Sequence, residues 1–424
     1  ITIGASGDTV ALASGASQTG FGRSGSVNYQ TSIKTTNFTA VSGEGYFVDT
    51  SSGAITVTLP SSPSAGSIVA IVDYAGTSGN NKITIGRNGS NVEGSAVDGE
   101  ISTNREAKTL VYADATQGWV SVADNTTETQ AAAYIAATGG TVSTVCTDFK
   151  VHTFTGPGTF CVSNVGNSAG SNKVSYVIVA GGGGGGYEGG GGAGGFRESR
   201  APTCSYSSSP IAITGSCGGV TVSSGPNAIV VGGGASGITS SAPALAKGNV
   251  SSALGLTAAG GGGGKNSGTP VTNACGGSGG GGASSGPLNA GAAGNIPSVS
   301  PAQGFPGGNY LPAGNPGASV NTAGGGGGAT ARGFGLACTD SGNGGAGAST
   351  SITGSSVARA GGGGGGVNPP SPAKPGGTGG GGEGRSGAGE SASANTGGGG
   401  GGSWNNTGGN GGSGIVVIRY KFQN

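Results

Sequence analysis

The chain has 424 residues, of which 103 are glycine, one is histidine and none is methionine; charged residues make up 8%, against about 25% in an ordinary globular domain. A formal net charge of +1 lacks the basic excess of a nucleic-acid binder. Apolar runs such as YVIVA and IVVI fall far short of the roughly 20 residues of a membrane-spanning helix, so neither nucleic acid nor membrane insertion is expected.

Ile1 opens the sequence without a basic, apolar leader, and the expectation is a processed product or part of something longer. Residues 1–40 alternate small polar and small apolar residues, as in ITIGASGDTVALASG. Period-2 alternation with Gly-Asp and Ser-Gly turns predicts short strands. So little bulk per strand cannot make a core alone, which predicts a trimeric β stalk and a homotrimer held by residues 1–140.

Residues 41–124 are richer. GYFVDTSSGAITVTLP, SIVAIVDYAG, NKITIGRNGS and TLVYADATQGWVSV read as strands with turn signals every 8–15 residues, the spacing of a β-sandwich or barrel. Trp119, Tyr112, Tyr74 and Phe47 are its large core candidates. Residues 125–140 read as a short linker. Within it TTETQAAAYIAAT, 126–138, predicts a helix with Thr126 or Thr127 as N-cap and Gly139-Gly140 as its end.

Residues 141–424 form the glycine-rich domain. CTDFKVHTFTGPGTFCVS predicts a hairpin turning at TGPG, with His152 in a structural role. VSYVIVA, 174–180, reads as a buried strand. Residues 1–180 hold 23 glycines and residues 181–424 the other 80. At one glycine in three, GxGxxG arises by chance about nine times, so its occurrences carry no weight. AGGGGGKN at 259–266 fails as a phosphate loop, having Ala259 for the first glycine and Asn266 for Ser/Thr.

Low charge, recurring glycine runs and a closing strand GGSGIVVIRYKF argue against disorder. That strand needs a partner, and VSYVIVA is the obvious one. Between the two, six-glycine runs in the polyproline-II conformation could bond one another through backbone N–H and C=O. The expected fold is all-β with a polyglycine II helix sandwich. Side chains able to make contacts fall between the runs, among them Tyr187, Phe305, Tyr310, Arg332, Phe334 and Trp404.

VHTFTGPGTFCVS, VSYVIVAGGGGGG, GGAGGFRES and GGSGIVVIRY together resemble the glycine-rich domain of tailed-bacteriophage fibre and adhesin proteins. The segments GYFVDTSSGAITVTLP and ITIGASGDTVALASGA are similar to β-module and stalk segments of such fibres. The resemblance implies a virion tail fibre acting outside cells, a homotrimer joined to other tail proteins. It also implies loops that bind host polysaccharide or an outer-membrane protein, with no enzyme activity and no cofactor. Aromatic and Arg side chains anchor interfaces, which makes Phe305, Tyr310, Arg332, Phe334 and Trp404 the expected receptor contacts, gathered at one exposed end.

Six cysteines, Cys146, Cys161, Cys204, Cys217, Cys275 and Cys338, permit disulfides in such a setting, with 15 possible connectivities. The preferred pairs are Cys146 with Cys161 and Cys204 with Cys217, leaving Cys275 with Cys338. CxxC is missing, so zinc is not expected. A purely architectural virion or filament protein is the main alternative function. An ice binder would need regular G-x-x tripeptides. A depolymerase would need paired carboxylates, whereas Asp98, Glu100, Asp114 and Asp124 read as turn residues.

Overall fold

The computed structural model describes residues 27–122, 129–130, 132–239, 247–266, 274–284, 290–310, 321–335 and 342–423. The chain divides into two compact units, Ile1–Ala131 and Ala132–Asn424. Strands dominate both; among the described residues the helical element is a single 3-10 turn, Gly215–Cys217.

The first unit is a sandwich of two five-stranded sheets. One sheet contains β1 (Asn28–Tyr29), β3 (Glu44–Val48), β5 (Ile68–Asp73), β8 (Ala107–Asp114) and β9 (Gly118–Ser121). The other contains β2 (Phe38–Thr39), β4 (Ile55–Thr58), β6 (Ile83–Gly86), β7 (Gly99–Ile101) and β10 (Thr129–Gln130). Alternate residues of the two sheets meet in one core, where Tyr46, Val48, Ile71 and Leu110 face Val57, Ile83, Ile85 and Ile101. Trp119 is fully buried there against Tyr112, ring centroids 5.7 Å apart. Residues 28–39, expected in a separate stalk, instead pair with β3 and β4; the stalk residues 1–26 lie outside the described residues.

The helix expected at 126–138 does not form. Thr129–Gln130 pair with β7, and Ile135–Thr138 form β11, antiparallel to β14 (Gly158–Val165). Alanine-rich propensity is worth only tenths of a kcal/mol per residue. Burying Ile135 in the second unit's core outweighs it.

That second unit is built on β12 (Thr141–Val145), β13 (Phe149–Phe154), β15 (Lys173–Val179), β16 (Phe196–Ser199) and β23 (Ile415–Lys421), ordered β12-β13-β23-β15-β16, with β17 (Val220–Thr221) beside β15. The strands that open and close the glycine-rich stretch are therefore neighbours: Ser175 faces Arg419 and Val179 faces Ile415. Both faces of this sheet are covered, as unbroken apolar runs require. On one face Tyr176, Ile178, Val416 and Ile418 pack against Phe160, Val162 and Ile229. These last come from a smaller sheet of β11, β14 and β18 (Gly225–Ile229). On the other, Val177, Val179 and Val417 meet Ala193, Ala329, Ala348 and Ala360.

The hairpin expected at TGPG is instead a crossing between sheets. β13 pairs with β12 and β23, while β14 pairs with β11 and β18. Phe154 and Phe160, on either side of the crossing, share one core. This separation undoes the expected Cys146–Cys161 bond. Cys146 is an exposed free thiol in the β12–β13 turn with φ 48°, and Cys161 lies in the other sheet opposite Thr138 and Pro226. Cys204 and Cys217 are free as well: Cys204 is buried with its thiol 3.8 Å from the Arg419 carbonyl, and Cys217 stands exposed on the 3-10 turn. Cys338 lies outside the described residues, and with it the expected bond to Cys275.

His152 is fully buried between the sheets. Its Nδ1 lies 2.7 Å from the Gly139 carbonyl and its Nε2 3.1 Å from the Tyr420 hydroxyl. A carbonyl only accepts, so Nδ1 carries the proton, Nε2 accepts from Tyr420, and the Tyr420 oxygen accepts from the Ala137 N–H. Burial lowers the His152 pKa, the Gly139 bond opposes this, and the charge of Lys150 adds to the lowering. The unfolded chain therefore takes up a proton below about pH 6.5 that the folded unit refuses. The unit's melting temperature is expected to hold above that pH and to fall as pH drops from 6.5 toward 5. His152→Gln should flatten the fall. Equal acid sensitivity in both proteins would assign it elsewhere.

Candidate functional site

The glycine runs shuttle between the strands and the opposite end of the unit. Residues 181–186 leave β15, turn at Tyr187–Glu188, and residues 189–195 return to β16. The return is zipped by Ala180 N–H to Gly195 O (3.0 Å), Gly183 to Gly192 (2.9 Å) and Gly186 to Gly189 (2.8 Å). Bonds also cross between runs remote in sequence: Gly191 donates to Gly400, Gly363 to Gly191, Gly326 to Gly363 and Gly400 to Gly183, each at 2.8–2.9 Å. These backbones are buried and satisfy one another, as buried peptide groups must. A Cβ added at Gly326, Gly363 or Gly399 would lie closer than 3.0 Å to a backbone oxygen of the neighbouring run. Glycine is thus required by proximity alone.

The turns remote from the sheet meet through the same network. Ser403 N–H bonds to Gly186 O, Gly366 to Glu188, Gly189 to Lys265, and Arg385 to Gly402. At this end the side chains reappear. The Tyr187 hydroxyl donates to Asn405 Oδ1 at 3.3 Å, and Ser403 Oγ receives the Asn406 N–H at 2.8 Å. Trp404 is half-buried beside the exposed Asn405 and Asn406. Just beneath, the buried Glu188 carboxylate takes both the N–H and the hydroxyl of Ser284. Lys265, also buried, donates to the Ala290 carbonyl at 2.6 Å. Its pKa is lowered by burial, which Cys275 opposes. Burial, and then the charge of Glu188, push the Tyr310 hydroxyl up.

The five expected contact residues are not brought together. Trp404 and Tyr310 lie at the loop end, but Tyr310 is only 5% exposed. Phe305 follows Gln303, whose carbonyl receives the first N–H of β16, and so belongs near the sheet. Arg332 is exposed on the turn where Gly328 N–H meets Ala331 O, again toward the sheet. Phe334 lies between, its N–H on Asn343 O and its carbonyl taking the Gly325 N–H. Sequence reasoning passed over Asn405, Asn406 and the Glu188–Ser284 pair. The available signal was position: Glu188 and the two asparagines sit in the short breaks between runs, where backbone direction must reverse.

Asp98 accepts the Arg87 N–H, Asp114 accepts those of Thr116 and Gln117, and Glu100 pairs with Lys82 at 3.0 Å; Asp124 lies outside the described residues. Among the described residues no group of three or more His, Cys, Asp or Glu is placed to hold a metal.

Fold and site define an all-β protein whose second unit is a lattice of mutually bonded glycine runs carrying its polar turns at one end. The sequence profile of a family described as a glycine-rich domain matches residues 154–421, more than half of the chain, and the chain belongs to that family. No curated protein matches it.

Proposed function

We propose that the chain is a non-enzymatic tail-fibre or adhesin protein of a tailed bacteriophage. In this reading it works on the virion, outside cells, as a homotrimer attached to other tail proteins. It binds a host polysaccharide or outer-membrane protein through the turns between glycine runs. The runs are read as polyglycine II helices stacked as a sandwich, which matches their inter-run N–H···O=C bonds.

One observation carries the reading. The buried runs spend their backbone groups on each other, so specificity must come from side chains in the interruptions. Tyr187, Trp404, Asn405 and Asn406 are grouped at the end remote from the sheet. The test is competition: purified chain should block adsorption of the phage to its host. Tyr187→Ala/Trp404→Ala should weaken that block at least tenfold with unchanged melting, while Phe305→Ala/Arg332→Ala, toward the sheet, should leave it intact. A wild-type chain that never competes would favour the architectural role.

A further inference from the structure

The two sheets of the first unit differ on their outer faces. Outside β4, β6 and β7 stand Thr56, Thr58, Thr84 and Glu100, the last paired with Lys82. This is the polar face of a solvated sheet. The other sheet breaks that alternation. With Tyr46, Ile71, Leu110 and Trp119 turned into the core, the register puts Tyr29, Phe47, Ile68, Val72, Val111 and Val120 on the outside. Thr109 supplies a hydroxyl, and no charged side chain occupies these paired positions. Tyr29 stacks on Phe47 with centroids 5.5 Å apart and remains 45% exposed; Val122, beyond β9, is 59% exposed.

A sheet apolar on both faces is a sheet covered on both faces. Four strands about 4.8 Å apart and three outward residues long make a projected patch of roughly 250 Å². Allowing for side-chain relief, that reaches the upper range of what monomers leave exposed.

We infer that this face is an interface between copies of the chain. Its lack of charge gives a charged partner nothing to recognise, and strongly apolar interfaces are characteristic of like subunits. A second copy supplies an equal, uncharged face. Two such faces about 10 Å apart reproduce the packing of a sandwich core. The inference stands apart from host binding and is tested without a host.

The experiment is sedimentation equilibrium of the full chain. The wild type should show a multiple of the single-chain mass at micromolar concentration. Val111→Lys/Val120→Lys should raise the dissociation constant at least 100-fold, with circular dichroism and melting of the second unit unchanged. If that variant misfolds, Tyr29→Lys/Val122→Lys decides, because both positions are already open and tolerate charge in a single chain. A wild type of single-chain mass overturns the proposal. So does an exposed-position variant that keeps the wild-type mass.

Discussion

Gly326→Ala is expected to unfold the glycine-rich unit, although it adds one methyl group. Gly326 donates to Gly363 at 2.8 Å and accepts from Gly345 at 2.9 Å. The new Cβ would collide with the Gly191 carbonyl oxygen. Gly191 is itself held by a bond to Gly400 and by the Gly363 N–H on that same oxygen. No side chain lies between these runs to rotate away, so one backbone must move and break its bonds. Each buried peptide group left unpaired costs about 1–3 kcal/mol, and several are displaced together. The loss should exceed about 4 kcal/mol, a large part of a typical domain's stability. Gly387→Ala is the control, since nothing lies within 4 Å of its added Cβ and the site is exposed; it should stay within about 0.5 kcal/mol of wild type. Calorimetry of the second unit's transition separates the two. Equal melting would show that the runs are not close-packed.

What the sequence disclosed and what it hid follow from the range of the interactions. Val177 and Val417 lie in uninterrupted β-branched runs because both faces of their sheet are covered, so those strands and their pairing were legible. The glycine runs were legible because proximity at Gly326 and Gly191 admits no other residue. Hidden were the features decided by contacts across the fold. TGPG looks the same in a hairpin and in a crossing between sheets; pairing of Phe154 with Val416 and of Phe160 with Asn227 decides it. The same crossing parts Cys146 from Cys161. Ile135 pairs with Val165 because a core awaits it, which local alanine content could not reveal. For the candidate site, the glycine breaks showed which residues are available, but the path of each run decides their end. Trp404 is carried away from the sheet, and Phe305 and Arg332 toward it.

Deleting residues 414–424 is expected to abolish the fold of the second unit while leaving the melting of residues 27–122 in place. β23 is the last element of the chain but a central strand of its sheet, bonded to β13 on one side and β15 on the other. Removing it opens two sheet edges at once. Val416, Val417 and Ile418 are fully buried and Ile415 and Tyr420 nearly so. At about 1.5–3 kcal/mol per large apolar side chain, their loss amounts to roughly 10 kcal/mol, comparable with the whole stability of a domain. Two further groups lose their setting. The Arg419 guanidinium sits 4.4 Å from the Phe149 ring centroid and donates to the Ile352 and Ser205 carbonyls, and Tyr420 satisfies buried His152. The first glycine run leaves directly from β15, so without β23 its starting point is unanchored. Val417→Asp tests the same strand without truncation and should act in the same direction, because it buries an unpaired carboxylate. Hydrogen exchange provides the readout: amides of residues 181–186 and 397–402 should lose protection together with those of β15. Protection surviving in the runs after β23 is gone would mean that the glycine lattice stands without its sheet.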